Sequence, residues 1–454
     1  MIHIKNDDQS WRKYQTKNFR QEKVEKSFVR RLRLLSSILA LTLLVSITFL
    51  LNIDTPHESL LLHTGEDHAQ KTNSSYTENE DSGISKSLLF TLLSGKNLAK
   101  ETSNVFTVNT GEKEYKIYTS IDMKLQDYLH SLQNRAKKFN WSKPRLIAFV
   151  IMDPYTGKII AMSGYDDDKP NINPCLKSDY PAASIFKVVT AAAAVETLGY
   201  EPYTPLYFVG NKYTLYKRQL REIKNKKNAY RISFSSAFAQ SVNPVFGKIG
   251  KIFLGKETLE SYALTFGFNQ PIPYEQPFVS GKVEINDDDF HLAEVGCGFT
   301  RDTTISPLFV AMLTSAIINE GKLMIPGIVE KVSSPDDKIL YIHKPAIYAD
   351  AIKAKTARIM MQLMEKTISE GTARKSFRGA SKDPVLSKLL IGGKTGSLSN
   401  REHTVKYDWF TGFGKQKNGK KAIAIAIVVG HQKYMGIRST TYANKILKQY
   451  FQGI

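Results

Sequence analysis

Cysteine is nearly absent from this chain: Cys175 and Cys297 are the only two in 454 residues. Neither sits in C-x-x-C spacing, so no zinc ribbon, thioredoxin-like redox motif or disulfide framework is encoded. One bond between them is permitted outside the cytoplasm but not required, and two unrelated, partly buried thiols are the simpler reading. No His-rich context surrounds either thiol, which removes both as nucleophile candidates. Acidic residues are also scarce, 43 against 63 Lys and Arg, for a net charge of +20. That balance raises nucleic acid as a partner, yet no zinc-ligand spacing or aromatic–basic RNA signature is present and the basic residues are dispersed. An anionic membrane surface or cell-wall polymer fits the charge better, and a solvated basic surface with no specific partner is the plain alternative. The triplets Asp166–Asp168 and Asp287–Asp289 lack the EF-hand continuation and read as solvated turns, leaving no metal site. No internal repeat is visible.

One long apolar run exists. Leu34–Ile53 contains no charge and is about the 20 residues a spanning helix needs. Arg30, Arg31 and Arg33 precede it in a basic stretch with Lys13, Lys17, Arg20, Lys23 and Lys26. The positive-inside rule then places the N-terminus in the cytoplasm and the remainder outside. A cleaved signal peptide competes with this reading, but the apolar core exceeds the usual ~7–15 residues and Phe49–Ile53 offers no small-x-small cleavage site. The expected organisation is a basic cytoplasmic segment (1–33), a transmembrane anchor (34–53), a polar tether (54–113) and a catalytic domain (114–454). The tether is rich in Ser, Thr, Asn and Glu and cannot bury enough apolar surface to fold alone, although an amphipathic element near Ser87–Leu93 offers a docking face.

Beyond the tether, Ile147–Met152 and Lys158–Ser163 read as a hairpin around the turn Asp153-Pro154-Tyr155-Thr156-Gly157. The Ala-rich run Ile185–Leu198 is apolar nearly all round, as a buried helix is. Its N-terminus lies at Ser184, where free N–H groups and the positive dipole end favour a developing anion. Lys187, three residues on, shares a helix face with Ser184. Ser241-Val242-Asn243-Pro244 follows a short helical stretch, and Ser241 and Asn243 can both face one cleft from a bent loop. An apolar strand at Lys388–Ile391 continues into Gly392-Gly393-Lys394-Thr395-Gly396-Ser397. A phosphate-binding loop would need glycine at position 388, where Lys388 stands, and a helix after it, where Tyr407–Gly412 reads as another strand. The glycines instead allow close approach of substrate to an edge strand. The three motifs together supply a nucleophile, a base, a proton relay and an anion-binding strand, a complete set for acyl transfer through a serine ester.

Ser184-Ile185-Phe186-Lys187, Ser241-Val242-Asn243 and Lys394-Thr395-Gly396, in that order, resemble the motif set of the penicillin-binding proteins and serine β-lactamases. Their wide separation is more like a transpeptidase domain than a compact β-lactamase. Tyr118–Gln126, Asp153–Met162, Ile305–Ala311, Asn319–Lys322, Glu370–Ala373 and Trp409–Phe413 extend the resemblance over roughly residues 114 to 454. Phe309 departs from the usual Gln, and Glu294-Val295-Gly296-Cys297-Gly298 is an atypical glycine-rich approach. The resemblance implies an α/β (α+β) fold with an antiparallel sheet flanked by helices and an all-helical subdomain, carried on one N-terminal transmembrane helix. It also implies catalytic Ser184, Lys187, Ser241, Asn243 and Lys394, and substrate binding by Thr395, Gly396 and Ser397, without metal or cofactor. Implied partners are peptidoglycan stem peptides, β-lactams as inhibitors, and a membrane glycosyltransferase or other cell-wall synthesis proteins. The implied activity is that of a D,D-transpeptidase in the cytoplasmic membrane with its catalytic domain outside. A D,D-carboxypeptidase or β-lactamase, and a non-catalytic β-lactam-binding scaffold or sensor, are the alternatives.

Overall fold

The computed structural model describes residues 84–452, apart from Asn140 and Lys224. The apolar run Leu34–Ile53 and the basic stretch before it lie outside the described residues, among which no helix is long and apolar enough to cross a membrane.

The framework is a five-stranded antiparallel sheet. Its strands are β1 (Leu146–Met152), β2 (Ile159–Asp166), β3 (Leu389–Ser399), β4 (Lys406–Gln416) and β5 (Ala422–His431), in the order β3-β4-β5-β1-β2. The hairpin read from the sequence is β1–β2, and the Lys-Thr-Gly strand is β3, at the sheet edge. Both faces are covered, which explains why β5 is buried along its whole length. Alternation sorts its side chains: Ala424, Ala426 and Val428 join the core on one face, Ile423, Ile425 and Ile427 the core on the other. The small alanines face the fully buried helix Pro307–Ile318, and Thr314 and Thr411 close that contact through a hydroxyl pair at 2.6 Å. The opposite face packs the amphipathic helices Met123–Lys137 and Ser439–Phe451 through Leu125, Leu129, Leu132, Ile446 and Leu447. Further helices, among them Lys187–Leu198, Asn243–Lys248, Gly255–Thr265 and Asp289–Cys297, pack largely on one another.

Ordered structure starts before Glu114. The helix Lys86–Leu93 buries Leu89, Leu92 and Leu93, and Val105–Thr110 pairs with Lys113–Thr119. Composition predicts a tether as far as residue 113 because the short apolar helix and the strand are set among polar residues. Each contributes only a few apolar side chains, and those matter only because the larger domain offers a surface to bury them.

β4 is pinned to the last helix by a buried carboxylate. Asp408 receives two hydrogen bonds from Arg438, at 2.7 and 3.0 Å, and one from the Ser439 N–H at 2.8 Å, while the His431 ring stands 3.9 Å away. Burial alone would push the Asp408 carboxyl up; the His431 ring, the Arg438 guanidinium and the Ser439 N–H outweigh it and hold it at about 2. A carboxylate depressed in the folded state contributes stability that is complete above about pH 4 and is lost as pH falls through about 2. This corresponds to about 2 kcal/mol for the Asp408 cluster. Thermal unfolding of Asp408→Asn should therefore start from a lower midpoint at pH 7 and fall less steeply than the parent between pH 4 and pH 2. Parallel acid profiles for the two proteins would show that the cluster carries no such linkage.

Candidate active site

Ser184 is held by contacts that its local sequence explains. Tyr180-Pro181 pairs with Thr304-Ile305, and the indole N–H of buried Trp409 donates to the Pro181 carbonyl at 3.0 Å. The chain then turns sharply, with Ala183 at φ 49°, into a short 3₁₀ turn (Ala183–Phe186) that leads into the helix Lys187–Leu198. A non-glycine residue with positive φ stores about 1–3 kcal/mol of backbone strain, tolerated where surrounding structure over-determines it. Gly298 supplies part of that structure. It ends the helix Asp289–Cys297 at φ 66°, and a Cβ on it would lie 1.9 Å from the Ala183 carbonyl oxygen. The glycine-rich approach read in the sequence is thus a close backbone crossing behind the nucleophile.

Lys187 is fully buried, with Nζ 2.8 Å from Ser184 Oγ, 2.9 Å from Asn243 Oδ1 and 2.6 Å from the Cys297 carbonyl. The amide of Asn243 is oriented by its other end, since Nδ2 donates to the Tyr213 carbonyl at 2.9 Å. Asn243 Oδ1 and the Cys297 carbonyl accept only. They can take the two N–H groups of a neutral amine and leave its lone pair to the Ser184 hydroxyl. Burial lowers the Lys187 ammonium to about 8. Cys297 enters the site through its carbonyl; its thiol, pushed up to about 12 by burial, stays protonated.

Lys394 is also fully buried, and its Nζ donates to Ser241 Oγ and to the Thr395 carbonyl, both at 2.9 Å. Burial and then the nearby Lys187 charge hold it well below its usual value. An arriving carboxylate would reverse that effect and favour the ammonium. Ser241 adopts φ 56°, which bends the loop between the helix Phe234–Ala239 and the helix Asn243–Lys248 and turns Ser241 towards Lys394 and Asn243 towards Lys187. Gly396 lies against Ile185 and Ala183, so β3 packs directly on the nucleophile turn. Thr395 hydrogen-bonds Thr372, and Ser397 is exposed.

All the residues expected from the motifs therefore converge on one cleft beside the edge strand. Sequence reasoning missed three contributors. The Tyr213 and Cys297 groups are backbone carbonyls, which carry no residue-type signal. Thr372 was noticed as part of a resemblance without a role. It bridges to Thr395 while its N–H reaches the Ala239 carbonyl at 3.1 Å, and the adjoining Gly371 has no room for a Cβ, which would meet the Ala239 oxygen at 2.3 Å. The segment ties the middle-motif helix to β3 across the cleft.

Residues 147–448 match the family described as penicillin binding protein transpeptidase domain. Peptidoglycan D,D-transpeptidase PbpA of Mycolicibacterium smegmatis is 26% identical over 317 residues, 62% of this chain and 61% of that protein. Stage V sporulation protein D of Bacillus subtilis is 26% identical over 298 residues, 61% of this chain and 43% of its own length. The chain thus spans about three fifths of the first of these curated relatives and less than half of the second. Among solved structures, the D,D-transpeptidase domain of a peptidoglycan glycosyltransferase from Eggerthella lenta aligns with TM-score 0.59 at 23% identity, covering 74% of this chain and 82% of that one. Penicillin-binding protein A from M. tuberculosis, as a ceftriaxone acyl-enzyme complex, aligns with TM-score 0.58 at 21% identity, over 73% and 78%. These structural likenesses establish a shared fold.

The crossing at Gly298 is open to test. Gly298→Ala should lower stability by about 2–3 kcal/mol in chemical denaturation, because the methyl group must displace the Ala183 carbonyl from a left-handed turn. An unchanged denaturation midpoint would show that the turn before Ser184 yields freely.

Proposed function

This chain belongs to the penicillin binding protein transpeptidase family, and we propose that it is a membrane-anchored peptidoglycan D,D-transpeptidase acting through Ser184. The observation that carries this reading is the pair of buried lysines, Lys187 on Ser184 and Lys394 on Ser241, set beside the edge strand β3. Two features of the geometry bear on chemistry. A neutral amine on the hydroxyl makes a nucleophile at moderate pH, and an edge strand with a recessed lysine accepts an extended peptide ending in a carboxylate.

In this reading a stem peptide ending in D-Ala-D-Ala pairs with β3. Its terminal carboxylate sits at Lys394 and Thr395, with the strand approaching Gly396 closely. Lys187 takes the Ser184 proton as Oγ bonds to the penultimate carbonyl carbon. N–H groups of Ser184 and Ser397 stabilise the oxyanion. The bond to terminal D-alanine breaks, and the proton reaches its amine through Ser241. The amine of a second stem peptide then attacks the ester carbon. Ser184 leaves with a proton, and the two strands are joined by a new amide. Asn243 keeps Lys187 aimed throughout. A β-lactam enters by the same first step, with a ring amide in place of the peptide. Leu34–Ile53, flanked on its N-terminal side by Arg30, Arg31 and Arg33, anchors the enzyme with this cleft on the outer face of the cytoplasmic membrane. Glycan strands from a membrane glycosyltransferase are the substrate at hand there.

Two measurements test the proposal. A fluorescent penicillin should label the protein for many minutes, and Ser184→Ala should abolish the signal. Rapid loss of label would indicate a hydrolase, and an unlabelled folded protein would remove the acyl-serine reading. The second-order labelling rate should also rise with pH to a half-maximum near 8, since only neutral Lys187 accepts the proton. A rate that falls or stays flat from pH 6 to 9 would exclude Lys187 as the base.

A further inference from the structure

The two carbonyls that hold Asn243 belong to a loop whose charge has no counterpart. Asn243 N–H donates to the Lys212 carbonyl at 2.7 Å, and Nδ2 to that of Tyr213. The chain beyond them exposes Lys217, Arg218, Arg221, Lys226, Lys227 and Arg231, with Glu222 as the sole acid in residues 212–231. Among the described residues no carboxylate forms an ion pair with any of these six cations. Some surface lysines elsewhere do have carboxylate partners, as in Lys143–Asp167, Lys158–Glu330 and Lys251–Asp289. Locally, six exposed cations stand against one acid on a loop that contacts the Ser241–Asn243 motif.

The loop is also built. Buried Gln219 donates to the Val209 and Asn211 carbonyls and accepts from the Tyr216 N–H and the Thr214 hydroxyl. Arg218 lies over the Tyr216 ring and Lys226 over the Tyr207 ring. Tyr230–Ser233, paired with Pro205–Phe208, runs straight into the helix Phe234–Ala239 that delivers Ser241. At its base a recess of about 350 Å³ is lined by Tyr203, Pro205, Arg231, Ile232 and Ser233. The cations thus belong to a structured loop that holds Asn243 through its first carbonyls and runs by backbone into the helix delivering Ser241.

We propose that this loop is a docking surface for the free carboxylates of a peptidoglycan strand, guiding a carboxylate-bearing stem peptide towards the acyl-enzyme. This rests on the transpeptidase reading above. Lys394 is recessed on β3 and can take one terminal carboxylate. The exposed loop cations remain for the second strand. Exposed charges act singly with little effect, but a field of one sign raises the local concentration of an oppositely charged polymer and its rate of approach, and does so most at low salt.

The test uses the full chain in detergent and insoluble peptidoglycan stripped of phosphate polymers, against the same material with its carboxyl groups capped as amides. The parent protein should co-sediment with uncapped wall about tenfold better than with capped wall at low salt, and lose that preference at high salt. The combined variant Lys217→Gln, Arg218→Gln, Arg221→Gln, Lys226→Gln, Lys227→Gln, Arg231→Gln should bind both materials equally weakly. Its labelling by penicillin, which carries no strand, reports that the Ser184 site is formed. Equal retention of parent and variant, or binding that survives capping, would overturn the proposal. So would binding that requires the phosphate polymers to be left in place. A parent protein that penicillin does not label would sink the transpeptidase reading instead; one that is labelled but shows no carboxylate preference would sink only the docking surface.

Discussion

Two lysine side chains share one dry cleft, and most of the surrounding architecture follows from that constraint. An ammonium group removed from water is destabilised unless it is partnered, and two of them repel each other besides. The fold answers with acceptors brought from distant parts of the chain, Asn243 and the Cys297 carbonyl for Lys187 and Ser241 for Lys394, to which the neighbouring Thr395 carbonyl adds a local one. These acceptors do not erase the desolvation, so both groups titrate below their usual range. The arrangement thereby keeps an amine that is close to neutral next to a hydroxyl, and a second that becomes a firm cation when an anion arrives.

Holding such a site requires rigid support. β3 belongs to a sheet covered on both faces, and β4 beside it is anchored through Asp408 to the final helix. From the other side, Trp409 reaches across to Pro181 and fixes the approach to Ser184. The positive φ angles at Ala183 and Ser241 fall at the two places where a side chain must be turned into the cleft. Strain of this kind persists because neighbouring contacts determine the backbone more strongly than local preference does. Gly298 and Gly371 mark where those neighbours come closest, each pressed against a carbonyl oxygen. The loop from Lys212 to Arg231 is part of the same support, since its first carbonyls orient Asn243 while its charged remainder faces solvent.

Much of this was legible before any coordinates. Apolar runs and turn residues located the hairpin β1–β2, the strand β3 and the helix Lys187–Leu198, because each is long and buried enough to mark the sequence. The edge placement of β3 was anticipated from glycines that let a substrate approach the strand closely. The helix Lys86–Leu93 was legible as an amphipathic element, but what it packs on and the strand Val105–Thr110 were not, because the surface that stabilises them lies far away in the sequence. Thr372 was in plain view yet silent, since a hydroxyl acquires a role only from what stands opposite it.

Residue chemistry and spacing settled which groups could act: a serine and a lysine one helical turn apart, a Ser-x-Asn bend, and a glycine-flanked lysine on a strand. Those facts are local, because a covalent neighbour or one turn of helix fixes them. What assembles them is not local. Ser184 and Lys187 meet Asn243 across 56 residues of chain between Lys187 and Asn243, and Lys394 meets Ser241 across 153. The carbonyls of Cys297 and Tyr213 join through backbone atoms that every residue possesses. The desolvation that brings Lys187 to about 8 likewise belongs to no residue type. It comes from closing a helix, a strand and two loops around the same amine and leaving no room for water.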